Sequence, residues 1–87
     1  MKTLYLPLKA QWYDMIEADV KKEEYREITD YWYSRIWRHR LSITHVCFSY
    51  GYTKRRMTFE VENIAIGRGK PEWGAPEDRD VYIIKLK

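Results

Sequence analysis

Leu4 and Leu6 alternate with Thr3 and Tyr5. That period of two predicts a short first strand over Thr3–Leu6, ended by Pro7. From Lys9 the period lengthens. Trp12 and Ile16 lie one turn apart with Met15 beside them, which predicts a helix over Lys9–Ala18 and an ion pair from Glu17 to Lys21. Lys21–Ile28 reads as a charged strand, with its start uncertain because the helix could run on to Lys22. Thr29 or Asp30 can cap a second helix over roughly Tyr31–Arg38, where Trp32 with Ile36 and Tyr33 with Trp37 form i,i+4 pairs. There Arg35 and Arg38 fall on a shared face.

The second half alternates again. Val46 and Phe48 share one side of a strand over His45–Ser49, and Gly51, flanked by Tyr50 and Tyr52, marks a turn. Met57–Ile66 is the longest strand candidate. Met57, Phe59 and Val61 point one way, but beyond Asn63 the apolar phase passes to Ile64 and Ile66, which predicts a bulge near Asn63. Gly67–Arg79 is a Gly/Pro-rich loop carrying Trp73, and Val81–Leu86 closes the chain as a strand. Strands outnumber helices and the helices cluster early. The order predicts an α+β fold whose small antiparallel or mixed sheet curls into a barrel.

Length confines this pattern to a single domain of 87 residues. Four Trp and eight Tyr can build a core from few residues and argue against disorder. The net charge of +3 is mild, but its distribution is uneven: acids dominate residues 14–30, while Arg35, Arg38, His39 and Arg40, and then Lys54, Arg55 and Arg56, form basic runs. A basic zone beside an acidic one suits a polyanion on one face. The single cysteine, Cys47, excludes an internal disulfide. With no signal-peptide core and no apolar run long enough for a membrane span, the expectation is a cytoplasmic protein without a membrane partner.

Several kinds of chemistry are missing. His39, His45 and Cys47 have no zinc spacing, so no metal is expected. Gly67 and Gly69 lack the rest of a dinucleotide loop, and there is no phosphate-binding Gly-Lys-Ser/Thr, so no cofactor is expected. His45 reads as a packed or surface strand residue.

Three clusters could carry function. In the charged strand, Lys22, Glu24 and Arg26 share one face, and a register shift would bring in Lys21 instead. Lined up in a cleft, the cations could hold phosphate or carbonyl oxygens while Glu24 accepts from a base edge; on a solvated edge they would only guard the strand. The second cluster is Tyr31–Arg40 with Tyr50, Tyr52, Lys54, Arg55 and Arg56, where aromatics could stack on bases and cations follow a backbone. The bland reading buries Trp32, Ile36 and Trp37 as core. The third is Glu60 with Glu62, carboxylates about 7 Å apart on one strand face, more often solvated than catalytic.

Taken together these residues resemble the ASCH domain family of the PUA-like superfamily, in its small phage and bacterial type. The likeness runs through Trp12-Tyr13-Asp14-Met15-Ile16, Lys21-Lys22-Glu23-Glu24-Tyr25-Arg26, Tyr31-Trp32, Phe48-Ser49-Tyr50-Gly51-Tyr52 and Gly69-Lys70-Pro71-Glu72-Trp73-Gly74-Ala75-Pro76, and covers nearly the whole chain. It implies one ASCH-like domain over residues 1–87, a barrel of about five or six strands with two helices packed on it, and a cleft at the barrel mouth. It also implies that Lys21, rather than Lys22, joins Glu24 and Arg26 in a Lys-x-x-Glu-x-Arg set. Members of the family are proposed to bind RNA or nucleotide-like ligands. One branch hydrolyses the amide of acetylated cytidine with Lys, Thr and Glu. Here Glu24 stands where that threonine would be, so a hydroxyl nucleophile is missing at that position.

The leading expectation is a module binding RNA or a modified nucleoside through Lys21, Glu24, Arg26 and neighbouring aromatics, extended by Tyr50, Tyr52, Lys54, Arg55, Arg56 and Trp73. Two alternatives stand beside it. One is a small hydrolase acting on a nucleoside or RNA, with Lys21 and Glu24 as its acid/base groups. The other is a protein-interaction domain using the Trp73 loop.

Overall fold

The computed structural model describes residues 2–87. The chain runs β1 (Lys2–Leu8), α1 (Ala10–Glu17), β2 (Glu23–Glu27), α2 (Asp30–Arg35), β3 (Ile43–Tyr50), β4 (Arg56–Gly67) and β5 (Val81–Leu86), with single 3-10 turns at Trp37–His39 and Pro71–Trp73. The five strands form one sheet in the order β1-β3-β4-β5-β2. β1 and β3 are parallel and every other pair is antiparallel.

β4 makes this sheet curl. Its first half, to Glu60, pairs with β3, and its second half, from Val61, pairs with β5. The register slips between Val61 and Asn63 at the changeover, so the expected bulge is present. An extra residue bends a strand and raises its twist. The result is an α+β half-barrel with two helices, open between its edge strands β1 and β2.

Pro7 does not end the first strand, which runs on to Leu8. β1 is an edge strand, and the Pro7 carbonyl faces away from β3, accepting from Arg26 of the other edge at 3.1 Å. The N–H that proline lacks would face the same open side, so no ladder bond is lost.

α2 is shorter than its pattern predicts. Thr29 caps it by accepting from the Trp32 N–H at 3.2 Å. Ile36 is the C-cap, its N–H still bonded to the Trp32 carbonyl but its backbone distorted (φ −114°, ψ −66°), and Trp37 begins a separate 3-10 turn. The break sends Ile36 fully into the core and stacks Trp37 on Tyr82 at 5.6 Å, so packing overrides helix continuation.

Inward residues of the strands form the core: Leu4, Leu6 and Leu8 from β1, Val46 and Phe48 from β3, and Ile84 and Leu86 from β5, sealed by Tyr13, Ile16 and Ile36. Each large side chain buried there contributes about 1.5–3 kcal/mol. A second cluster of Tyr25, Ala75 and Val81, with Trp73 and Ile83 against it, anchors the loop after β4. Cys47 is buried and free. Among the described residues no helix is long and apolar enough to cross a membrane.

Candidate functional site

The open seam between β1 and β2 holds a pocket of about 260 Å³, lined by Pro7, Leu8, Lys9, Trp12, Glu24, Tyr25, Arg26, Trp73 and Gly74. It therefore draws on the end of β1, the start of α1, the middle of β2 and the loop after β4. Its size sits near the lower bound of about 300 Å³ for small-molecule sites.

A linear ion chain runs from Lys21, behind the wall, to Glu24 and Arg26, which line the pocket. Lys21 Nζ lies 2.9 Å from Glu24 Oε1, and the other oxygen, Oε2, is paired with Arg26 Nη1. The side chains of Lys21 and Glu24 are only 0% and 6% exposed, against 16% for Arg26. Two positive charges thus flank one negative charge, and Lys9 adds a cation on the rim. Glu24 is the sole acid among the lining residues.

Lys21 reaches this position through irregular chain. α1 ends at Glu17, Asp19 turns through positive φ (63°), and the Val20 and Lys21 N–H groups both return to the Met15 carbonyl. Lys21 consequently swings inward before β2 begins at Glu23. Lys22 does not join the cluster; it is exposed and pairs with Asp19. The expected Glu17–Lys21 pair is also corrected, because Glu17 binds Arg55 instead.

The Lys21 ammonium has three donors and three acceptors: Glu24 Oε1, the Trp73 carbonyl at 2.9 Å and the Glu23 carbonyl at 2.5 Å. It also lies over the rings of Tyr25 (4.8 Å) and Trp12 (5.5 Å). Burial lowers its pKa from the ordinary value, and the charge of Glu24 opposes that shift. Lys21 is fully buried behind the pocket wall, and its three protons are already taken by protein acceptors. Its bonds to Glu24 and to the Trp73 carbonyl tie the loop to β2.

Arg26 faces the pocket. Nη1 serves Glu24 and the Tyr25 carbonyl (2.7 Å), and Nη2 donates to Pro7 across the seam. Trp32 of α2 stacks over the guanidinium at 5.3 Å. Of its five N–H groups, the one on Nε and the second on Nη2 remain for a ligand. Glu24 likewise uses one site on each oxygen and keeps further lone pairs.

The loop carrying Trp73 is held down by Tyr25. The Lys70 N–H donates to the Tyr25 hydroxyl at 3.0 Å, and that hydroxyl donates to Glu23 Oε1 at 2.7 Å. Burial, opposed by the Lys70 N–H and helped by Glu23, pushes the Tyr25 phenol well above its ordinary value of 10.0. Gly69 permits this approach: a Cβ there would stand 2.6 Å from the Ala75 Cβ and 2.7 Å from the Tyr25 ring. Gly74 follows with φ +99°, its backbone against the Trp12 ring.

Other sequence candidates lie elsewhere. Tyr50 is half-buried and packs edge-on against Tyr13 at 5.2 Å. Arg55 stacks on both of those rings and reaches the Glu17 carboxylate at 2.9 and 3.1 Å. Tyr52, Lys54 and Arg56 are exposed outside the pocket. Glu60 and Glu62 are exposed beside the register shift, and each meets its own lysine, Lys87 at 3.5 Å and Lys85 at 3.8 Å. His45 is a half-buried strand residue beside Thr44. Sequence reasoning missed Pro7, Lys9 and Tyr25 as wall residues and treated Trp12 as helix packing. The helical spacing put Trp12 with Ile16, whereas the buried pair of α1 is Tyr13 and Ile16. No group of His, Cys, Asp and Glu among the described residues is placed to hold a metal ion. No family model, no curated protein and no solved structure matches the chain.

Proposed function

We propose that this chain is an ASCH-like module that binds RNA or a modified nucleoside in the seam pocket. The observation that carries the reading is the convergence of Glu24 and Arg26, backed by Lys21, on a small concave wall that also carries Trp12 and Trp73. Nucleobases are held by flat aromatic faces and by hydrogen bonds to their edges. Glu24 supplies acceptors for amino or imino groups, and Arg26 supplies donors for a carbonyl or a phosphate. The surplus positive charge favours a polyanion. A cytoplasmic location, where RNA is met, goes with this reading.

The test is titration of short RNA and of nucleosides into wild-type protein and Arg26→Gln at several salt concentrations. Binding should weaken steeply with salt and fall at least about tenfold in the variant. Absence of binding at low salt, or full affinity in Arg26→Gln, would refute the reading.

A hydrolase is the second reading, and one observation favours it: burial lowers the Lys21 pKa, the direction a catalytic base needs. Its three protein hydrogen bonds stand against that role. Turnover of acetylated cytidine or of RNA that vanishes in Lys21→Met, with the variant still folded, would revive it.

A further inference from the structure

We propose that a single strand of RNA leaving the pocket continues over the outer face of β1, β3 and β4, with Tyr5 and Tyr52 as its stacking platform. Tyr5 is 69% and Tyr52 98% exposed. They flank a second depression of about 210 Å³, which Arg56 also lines. The strand register explains its shape. Pro7, Ser49 and Arg56 stand on one rung, and Tyr5, Cys47 and Thr58 on the next outward rung. The central strand thus contributes only small side chains, and the flanking strands, about 10 Å apart, contribute the walls.

Charge selects the occupant. Lys54 and Arg56 are exposed and have no ionic partner among the described residues. The acid on the same face of β4, Glu60, lies about 13 Å farther along and is paired with Lys87. Exposed aromatics beside free cations are how unpaired bases and their backbone are held without strict sequence preference. Pro7 lines both depressions, so the two adjoin at the end of β1. The identity of the strand as RNA rests on the pocket reading; the stacking surface itself does not.

Affinity is to be measured for an oligonucleotide series, from a mononucleotide to a nonanucleotide, against wild type, Tyr5→Ala/Tyr52→Ala and Arg26→Gln. Circular dichroism would check that each variant is folded. Wild-type affinity should climb with length. The double tyrosine variant should keep mononucleotide binding and lose about tenfold or more for the longest oligomer. Arg56→Gln should lower the salt slope by about one. A double tyrosine variant indistinguishable from wild type at every length overturns this proposal and leaves the pocket reading standing. Tyrosine-dependent oligomer binding that ignores Arg26→Gln supports the outer surface and overturns the pocket. No binding by any RNA overturns both. Wild-type dimerisation in sedimentation, abolished by the tyrosine changes while RNA affinity holds, assigns the face to a second copy and also overturns the proposal.

Discussion

Lys21–Glu24–Arg26 and Glu17–Arg55 are built from the same kinds of groups at similar distances. In the first, Lys21 and Glu24 are 0% and 6% exposed; in the second, Arg55 and Glu17 are 53% and 51% exposed. Water competes for the second pair and screens it, so its net contribution is small. The first is largely withdrawn from water, and its charges lean on one another and on the Trp73, Glu23, Tyr25 and Pro7 carbonyls. The comparison teaches that an ion pair acquires structural and chemical weight from what surrounds it. The buried chain organises a pocket, whereas the exposed one decorates a surface.

The largest effect should come from removing one member of the buried chain. Lys21→Met leaves Glu24 desolvated with half its counter-charge, and urea unfolding should register a loss of about 3–5 kcal/mol. Combining it with Glu24→Met should recover part of that loss. A cost below about 1 kcal/mol would erase the distinction between the two regions. Next comes the loop that the chain tethers. Gly69→Ala drives a methyl into Ala75 and Tyr25, so a loss of about 1–3 kcal/mol is expected, with faster proteolytic nicking between Gly67 and Asp80.

A smaller effect with a pH signature belongs to Tyr25→Phe. At neutral pH it removes two hydrogen bonds and should cost about 1–2 kcal/mol. The folded phenol holds its proton above 10.0, where the unfolded phenol releases it. That stabilisation is complete below pH 10 and drains away as pH rises further. The wild-type advantage over Tyr25→Phe should therefore shrink above pH 10 in parallel urea titrations. A constant gap would count against a buried, doubly bonded hydroxyl. At the bottom of the scale, Glu17→Ala should leave the unfolding midpoint unmoved within measurement, at low and at high salt alike.

Much of the frame was legible where local chemistry decides. Val81–Leu86 has the bounds its alternation predicts, Thr29 is the cap its side chain allows, and the change of apolar phase beyond Asn63 marks the bulge. Strand alternation, however, selected Lys22 for the charged face. It failed because Lys21 precedes the strand and is turned inward by the Asp19 bend, toward a carbonyl 52 residues away. No local rule contains that contact. The family likeness did pick Lys21, which the structure buries behind the pocket wall. The break of α2 at Ile36 and the placing of Pro7 on an edge likewise depend on neighbours that only the closed sheet supplies.

The most direct test watches the four indole N–H signals while a short RNA is titrated in at low salt. Trp12 and Trp73 line the pocket and should shift together with the Arg26 Nε–H, while Trp37, stacked on Tyr82, should hold still. Unmoved Trp12 and Trp73 signals under saturating RNA would contradict a binding site in the seam between β1 and β2.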